Sequence, residues 1–356
     1  MAGNFDGIKR QRFGIEIEMT GLTRKEAAEV IAAHFGTSVD HYGRYYDKYI
    51  VPDNQSRKWT LVFDSSIDCT THDRGSAGSE YSVEFVSPIC TYDDIPLIQA
   101  LVRKLREAGA VSNSSTGIHI HIDAAPYDAK HLRNLVNIVA SKEDMIYHAL
   151  RVGEYRESYC KKTDPDFLVR LNRKKPKTME QFERIWYNGP SRACDHYDRS
   201  RYRLLNLHSV FSHGTVEIRA FNSTLHAGVL RAYLTFCLAI SNLALSQNSA
   251  SARPTHSENE KYTFRCWLLR LGLNGDEFKN VRKHLLSHLE GNIAWLHAED
   301  AAAQRERIKQ ARRAAREAGV AREPPRSAML PDENESPAES TCGTEFDDDE
   351  TVAISM

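Results

Sequence analysis

The chain has 356 residues, 41% hydrophobic and 27% charged, with 19 Gly and 7 Cys, which excludes collagen-like, disulfide-scaffold and wholly disordered classes. At ~100–200 residues per domain, the length allows two domains or one large domain with extensions, and a core that folds without disulfide or metal staples. The net charge of -1 is uneven: nine acidic residues and no Lys or Arg follow Arg326, leaving 47 basic against 39 acidic residues before that point, a mildly basic body suited to a polyanionic ligand such as a nucleotide.

In chain order, the first twenty residues contain no apolar run of signal-peptide length. Helix-like patterns cover 23–35, 95–108, 130–151 and 225–245. The first opens on Thr23-Arg24-Lys25-Glu26, a capping box. The 225–245 stretch carries His226, Arg231 and Asn242, so it reads as a buried helix rather than a membrane span. A small-residue, polar linker at 248–260 precedes two amphipathic helices, 262–271 and 277–289, around Leu273-Asn274-Gly275-Asp276. An Ala/Glu/Arg-rich helix at 301–318 lacks an apolar stripe and should be solvent-exposed. The expected domains are therefore 1–247, catalytic; 248–260, linker; 261–322, helical extension; and 323–356, an acidic tail too polar to order. Cys69, Cys90, Cys160, Cys194, Cys237, Cys266 and Cys342 are odd in number, without a CxxC. Reduced thiols and a cytoplasmic location are expected.

Between the helices lie segments with period-two alternation, the strand signature. FGIEIEM sets Phe13, Ile15, Ile17 and Met19 against Gly14, Glu16 and Glu18. EYSVEFV sets Tyr81, Val83 and Phe85 against Glu80, Ser82 and Glu84. GIHIHID sets three isoleucines against Gly117, His119, His121 and Asp123. TVEIRAF sets Val216, Ile218 and Ala220 against Thr215, Glu217, Arg219 and Phe221, and WTLVFD sets Trp59, Leu61 and Phe63 against Thr60, Val62 and Asp64. A solvent-facing antiparallel strand is normally polar, but five carboxylates on one sheet face repel one another unless cations compensate them. Residues two apart on a strand are ~6–7 Å apart, which lets Glu16 and Glu18 serve neighbouring ions. Carboxylates with one or two imidazoles and no thiolate favour Mg2+ or Mn2+ over zinc. With Arg219 beside Glu217, such a cluster suits a phosphoryl group.

At these residues the sequence resembles the amidoligase branch of the glutamine synthetase-like carboxylate–amine ligases. The carriers are RFGIEIEM, VEFVSPI, TGIHIHID, YRLLNLHS and TVEIRAFNST, in that order between Arg12 and about Leu245. The resemblance implies an α+β fold with a curved, mainly antiparallel sheet and helices on its apolar side. It implies ATP as co-substrate with Mg2+ or Mn2+. Glu16, Glu18, Glu84, His119 and Glu217 would hold metal, and Glu80, on the same expected strand face, joins them less firmly. His121 would face the nucleotide phosphates. Arg219 and Arg203 would contact phosphate or carboxylate, and Asn206 would order its segment. Asp64 is a candidate base for the incoming amine. ATP would phosphorylate a substrate carboxylate, and an amine would displace the phosphate to leave an amide or isopeptide bond.

Two rivals stand beside this reading. HIHID is superficially like the HxHxD segments of zinc hydrolases, although Asp123 is followed by Ala124. The basic run Lys161 to Lys177, with Tyr159 and Phe167, resembles a nucleic-acid contact; solvated charge is its ordinary meaning. The expected partners are a small-molecule or peptide carboxylate and an amine, with no nucleic acid or membrane and with a homo-oligomer left open. Glu16→Gln is expected to abolish turnover while leaving the fold intact or slightly more stable, by relieving repulsion.

Overall fold

Phe13, Ile15, Ile17 and Met19 bury one side of β1 (Phe13–Met19), and a strand with one apolar side needs a second layer to cover it. The computed structural model describes residues 5–43 and 47–317. The further strands are β2 (Asp40–Tyr42), β3 (Lys48–Pro52), β4 (Lys58–Val62), β5 (Val83–Val86), β6 (Gly117–Asp123), β7 (Leu205–Asn206) and β8 (Thr215–Asn222). They lie in the order β2-β3-β4-β5-β1-β6-β8-β7, and every pairing is antiparallel. The α+β class is as expected; β2 and β3 carry no alternation strong enough to have been read as strands. Because β1 lies between β5 and β6, motifs about seventy to a hundred residues apart become neighbours.

The apolar side continues through Trp59 and Leu61, Val83 and Phe85, Ile118 and Ile120, and Val216 and Ile218, all buried. Trp59 stacks on Phe85 at 5.5 Å and meets Phe35 of the helix Arg24–Phe35 at 6.0 Å. That helix begins at the expected capping box, where Thr23 accepts from the Glu26 N–H and the Glu26 carboxylate accepts from the Thr23 N–H. The helices Ile95–Glu107 and Ala227–Ser246 join the same core. Ala227–Ser246 is long and apolar enough to cross a membrane by composition, but 72% of its most apolar window is buried inside the protein, as in a core helix. The single helix expected over 130–151 is two, Ala129–Ala140 and Glu143–Leu150. The break falls where Ser141 Oγ bonds back to the Ile138 carbonyl and Lys142 leaves helical backbone at φ −124°.

Two strand expectations are corrected. The ladder between β6 and β8 shifts register between Ile118 and Ile120, so Phe221 pairs with Ile118 instead of continuing the Glu217–Arg219 face. An extra residue in one strand turns the following side chains over, and Phe221 ends fully buried, stacked on Tyr233 at 4.4 Å. Ser79–Tyr81 forms a 3-10 turn rather than the start of β5. Glu80 is therefore exposed and off the sheet face.

The chain divides into two compact units, Met1–His297 and Ala298–Met356. The first runs past the boundary expected at 248–260. Asn137 donates to the Ala250 carbonyl (2.9 Å), the Thr255 N–H donates to Ser141 (3.0 Å), and Phe264 and Trp267 pack on Phe236. In the second unit the described element is the helix Ala298–Glu317, mostly exposed, which agrees with its lack of an apolar stripe. Residues 318–322 of the expected extension and the expected acidic tail, 323–356, lie outside the described residues.

Candidate functional site

The polar face of the sheet collects the charged side chains by register. Across β1 and β5, Glu18 stands opposite Glu84. Across β1 and β6, Glu16 stands opposite His119, and Gly14 opposite His121. Across β6 and β8, His121 stands opposite Glu217. The result is three overlapping groups, each with ligand atoms within 4.8 Å of one another: Glu18, Asp64 and Glu84; Glu16, Glu84 and His119; and Glu16, His121 and Glu217. Glu84 belongs to the first two and Glu16 to the last two, so the groups form a chain along the sheet.

Hydrogen bonds hold most members in place. His119 Nδ1 lies 3.0 Å from Glu16 Oε2, and its Nε2 lies 3.6 Å from Glu18 Oε1. Glu18 Oε2 accepts from the Gly117 N–H at 2.6 Å. Glu217 accepts from Asn206 Nδ2 at 2.6 Å and from Arg219 Nη1, while Asn206 Oδ1 accepts from the His208 N–H. Asn206 thus orders the β7 segment against a site carboxylate. His121 Nδ1 contacts Thr215 Oγ1 at 3.1 Å, and its Nε2 lies 3.3 Å from Glu16 Oε1.

The carboxylates are not electrically equivalent. Burial raises the pKa of Glu16, but attraction to His121 and hydrogen bonds from His119 and His121 outweigh it and hold the carboxyl well below its usual range. Burial likewise opposes ionisation of Glu217, yet Arg219, His121 and His119 bring it down to about 2. His121 is pulled the other way: burial would lower it, and Glu16 and Glu217 raise it to about 9. Glu84 takes the strain. Burial and then repulsion from Glu16, Asp64 and Glu18 push it well above the carboxylate range. The expectation that Glu16→Gln relieves repulsion is reversed by this arrangement, because Glu16 is flanked by imidazoles and Glu84 is the crowded carboxylate.

The structure thus brings together Glu16, Glu18, Glu84, His119, His121, Glu217, Arg219 and Asp64. Asp64 also begins a turn, accepting the Ser66 N–H at 2.7 Å, and this candidate base lies beside Glu18 and Glu84. Glu80 is not brought in. Nor is Arg203, whose guanidinium donates to the Lys162 carbonyl at 2.7 Å and lies 3.5 Å from Asp164. One site residue was missed. Arg156 is 5% exposed; its Nη2 donates to the Arg219 carbonyl at 3.1 Å, and its Nη1 lies 3.9 Å from Glu18 Oε2. It sits in a short segment without periodicity, so no pattern in the sequence marks it.

The donor set suits a hard divalent cation. Five carboxylates and two imidazoles converge without a thiolate. His121 Nε2, 3.3 Å from Glu16 Oε1, reaches the carboxylate that two of the three groups share.

A protein-family model described as "Putative amidoligase enzyme" matches residues 9–241, a span containing every member of the cluster. No curated protein matches the chain. Among solved structures, a bifunctional glutathione synthetase from Pasteurella multocida is similar at a TM-score of 0.37 and 11% identity, covering 80% of this chain and 48% of that one. The chain spans about half the length of that protein, and a likeness so loose carries no argument about the reaction.

Proposed function

This chain belongs to the amidoligase family, and on that footing we propose that it joins a carboxylate to an amine at the expense of ATP, with Mg2+ or Mn2+. The carrying observation is the chain of three overlapping carboxylate–imidazole groups, flanked by the buried Arg219. Glu16, Glu18, Glu84, His119 and Glu217 would hold the ions, and the sheet that presents them would be of the glutamine synthetase-like kind. Divalent cations held there would supply the positive charge that neutralises negative charge developing on a phosphoryl group in transfer.

In this reading a substrate carboxylate oxygen attacks the terminal phosphorus of ATP, and the bond to ADP breaks. The amine nitrogen then attacks the acyl carbon, the bond to phosphate breaks, and the amine proton leaves. His121, beside Glu16 and Glu217, meets the nucleotide phosphates, and Arg219 balances their charge. Asp64, grouped with Glu18 and Glu84, draws in the positively charged amine and takes its proton. Against the hydrolase alternative, Asp123, the third ligand it would need, pairs with Arg12 at 2.6 Å and belongs to none of the three groups. The free thiols of the described residues suit a reducing compartment, and the cytoplasm is the location we propose.

The test is calorimetry with a non-hydrolysable ATP analogue, with and without Mg2+, on wild type and Glu16→Gln. Mg2+-dependent binding that the variant loses supports the ligase reading. Tight zinc uptake with no nucleotide binding under any condition would overturn it.

A further inference from the structure

We propose that Arg156 and Arg219 together form the subsite for a phosphoryl oxyanion beside the carboxylate cluster, the second guanidinium being Arg156 and not Arg203. The assignment rests on the ligase reading above and adds to it a residue from the segment between β6 and β7.

Arg156 enters on the short helix Glu154–Glu157. The end of its guanidinium lies against Gly117, where a Cβ would come within 1.8 Å of Nη1 and 2.2 Å of Cζ. Any side chain at position 117 would evict it. A guanidinium has five N–H donors in a planar fork. Burying one is costly unless acceptors meet those donors. Arg156 Nε is buried without a partner among the described residues, and so is Arg219 Nε.

The nearby carboxylates do not fill this deficit. Glu18 Oε2 is engaged by the Gly117 N–H and stands 3.9 Å from Arg156, beyond hydrogen-bond range. Glu217 is shared between Asn206 and Arg219 Nη1. Arg156 is anchored to the backbone carbonyl of Arg219, and two buried guanidiniums, each with an unfilled donor, match an oxyanion with several oxygens. Beside a cation-holding cluster, a phosphoryl group offers oxygens to both.

The experiment compares wild type with Arg156→Ala, Arg156→Gln and Gly117→Ala. The glutamine keeps a neutral N–H donor in the pocket, and urea unfolding of each variant beside wild type guards against a folding defect. Three affinities are measured: Mn2+ alone by electron paramagnetic resonance, and ADP and a non-hydrolysable ATP analogue by calorimetry with Mg2+. All three variants should bind the ATP analogue about tenfold or more weakly, with ADP and Mn2+ changed by less than about threefold. Equal losses for ADP and the analogue, or no loss, would overturn the assignment. So would a fall in Mn2+ affinity that tracks the nucleotide, because Arg156 would then act only by positioning Glu18. Wild type that binds neither Mn2+ nor nucleotide sinks the ligase reading and this assignment with it.

Discussion

Replacing Glu84 with Gln should make the metal-free protein more stable, by an amount that grows with pH. Glu84 belongs to two of the three groups, and burial followed by repulsion from Glu16, Asp64 and Glu18 raises its pKa well above the ordinary value. Such a carboxyl takes up a proton on folding. Its favourable contribution is complete below the unfolded pKa of about 4.3 and is lost as pH rises toward the raised folded value. Within that window one proton corresponds to about 1.4 kcal/mol per pH unit. Glutamine does not titrate, so the advantage of the variant should widen by up to ~1.4 kcal/mol between pH 5 and pH 6. The widening stops once folded Glu84 ionises. Urea unfolding of both proteins at pH 5, 6 and 7, with a chelator present, measures this directly. Parallel stability profiles, or a variant less stable at every pH, would refute the reasoning. Saturating Mg2+ should reverse the order, because the ion stabilises the native wild type by mass action and the glutamine offers it one charge fewer.

Glu16→Gln should behave oppositely in chelator: loss of its charged contacts with His119 and His121 should destabilise the fold by ~1–3 kcal/mol, and an unchanged or raised melting temperature would contradict that. Mg2+ binding near pH 7 should release protons, since His121, raised to about 9 by Glu16 and Glu217, holds a proton that a cation beside those carboxylates would displace. Calorimetry in buffers of different ionisation enthalpy reads this release, and an apparent enthalpy independent of buffer would count against it. Phe221→Ala should cost ~3–5 kcal/mol in chemical unfolding, as expected for a buried aromatic. A cost under about 1 kcal/mol would return Phe221 to the polar face.

The face carried by each strand was readable from period-two alternation alone, because side-chain direction along a strand is a local property of the backbone. Glu16 and Glu18, His119 and His121, and Glu217 and Arg219 could therefore be paired within their strands before any fold was known. The hard-cation chemistry follows from residue type in the same way. The reading failed where local pattern met a local irregularity. Glu80 alternates correctly with Glu84, yet a 3-10 turn removes it from the strand, and a bulge carries Phe221 to the opposite face.

Tertiary structure decided what stands across from what. The neighbours of Glu84 are set by β1 pairing with both β5 and β6, and those pairings close loops of tens of residues whose register no local pattern specifies. They make Glu84 the strained carboxylate and Glu16 the stabilised one, reversing the expectation drawn from counting charges. The same holds for the arginines. Arg203 follows a motif and Arg156 follows none, but the chain folds Arg156 onto the bare backbone of Gly117 and leaves Arg203 with Lys162 and Asp164. Residue type and alternation determined the chemistry this face can support. Which groups share an ion or an anion depended on non-local packing, because a side chain's charge is fixed by its sequence and its field by its neighbours in space.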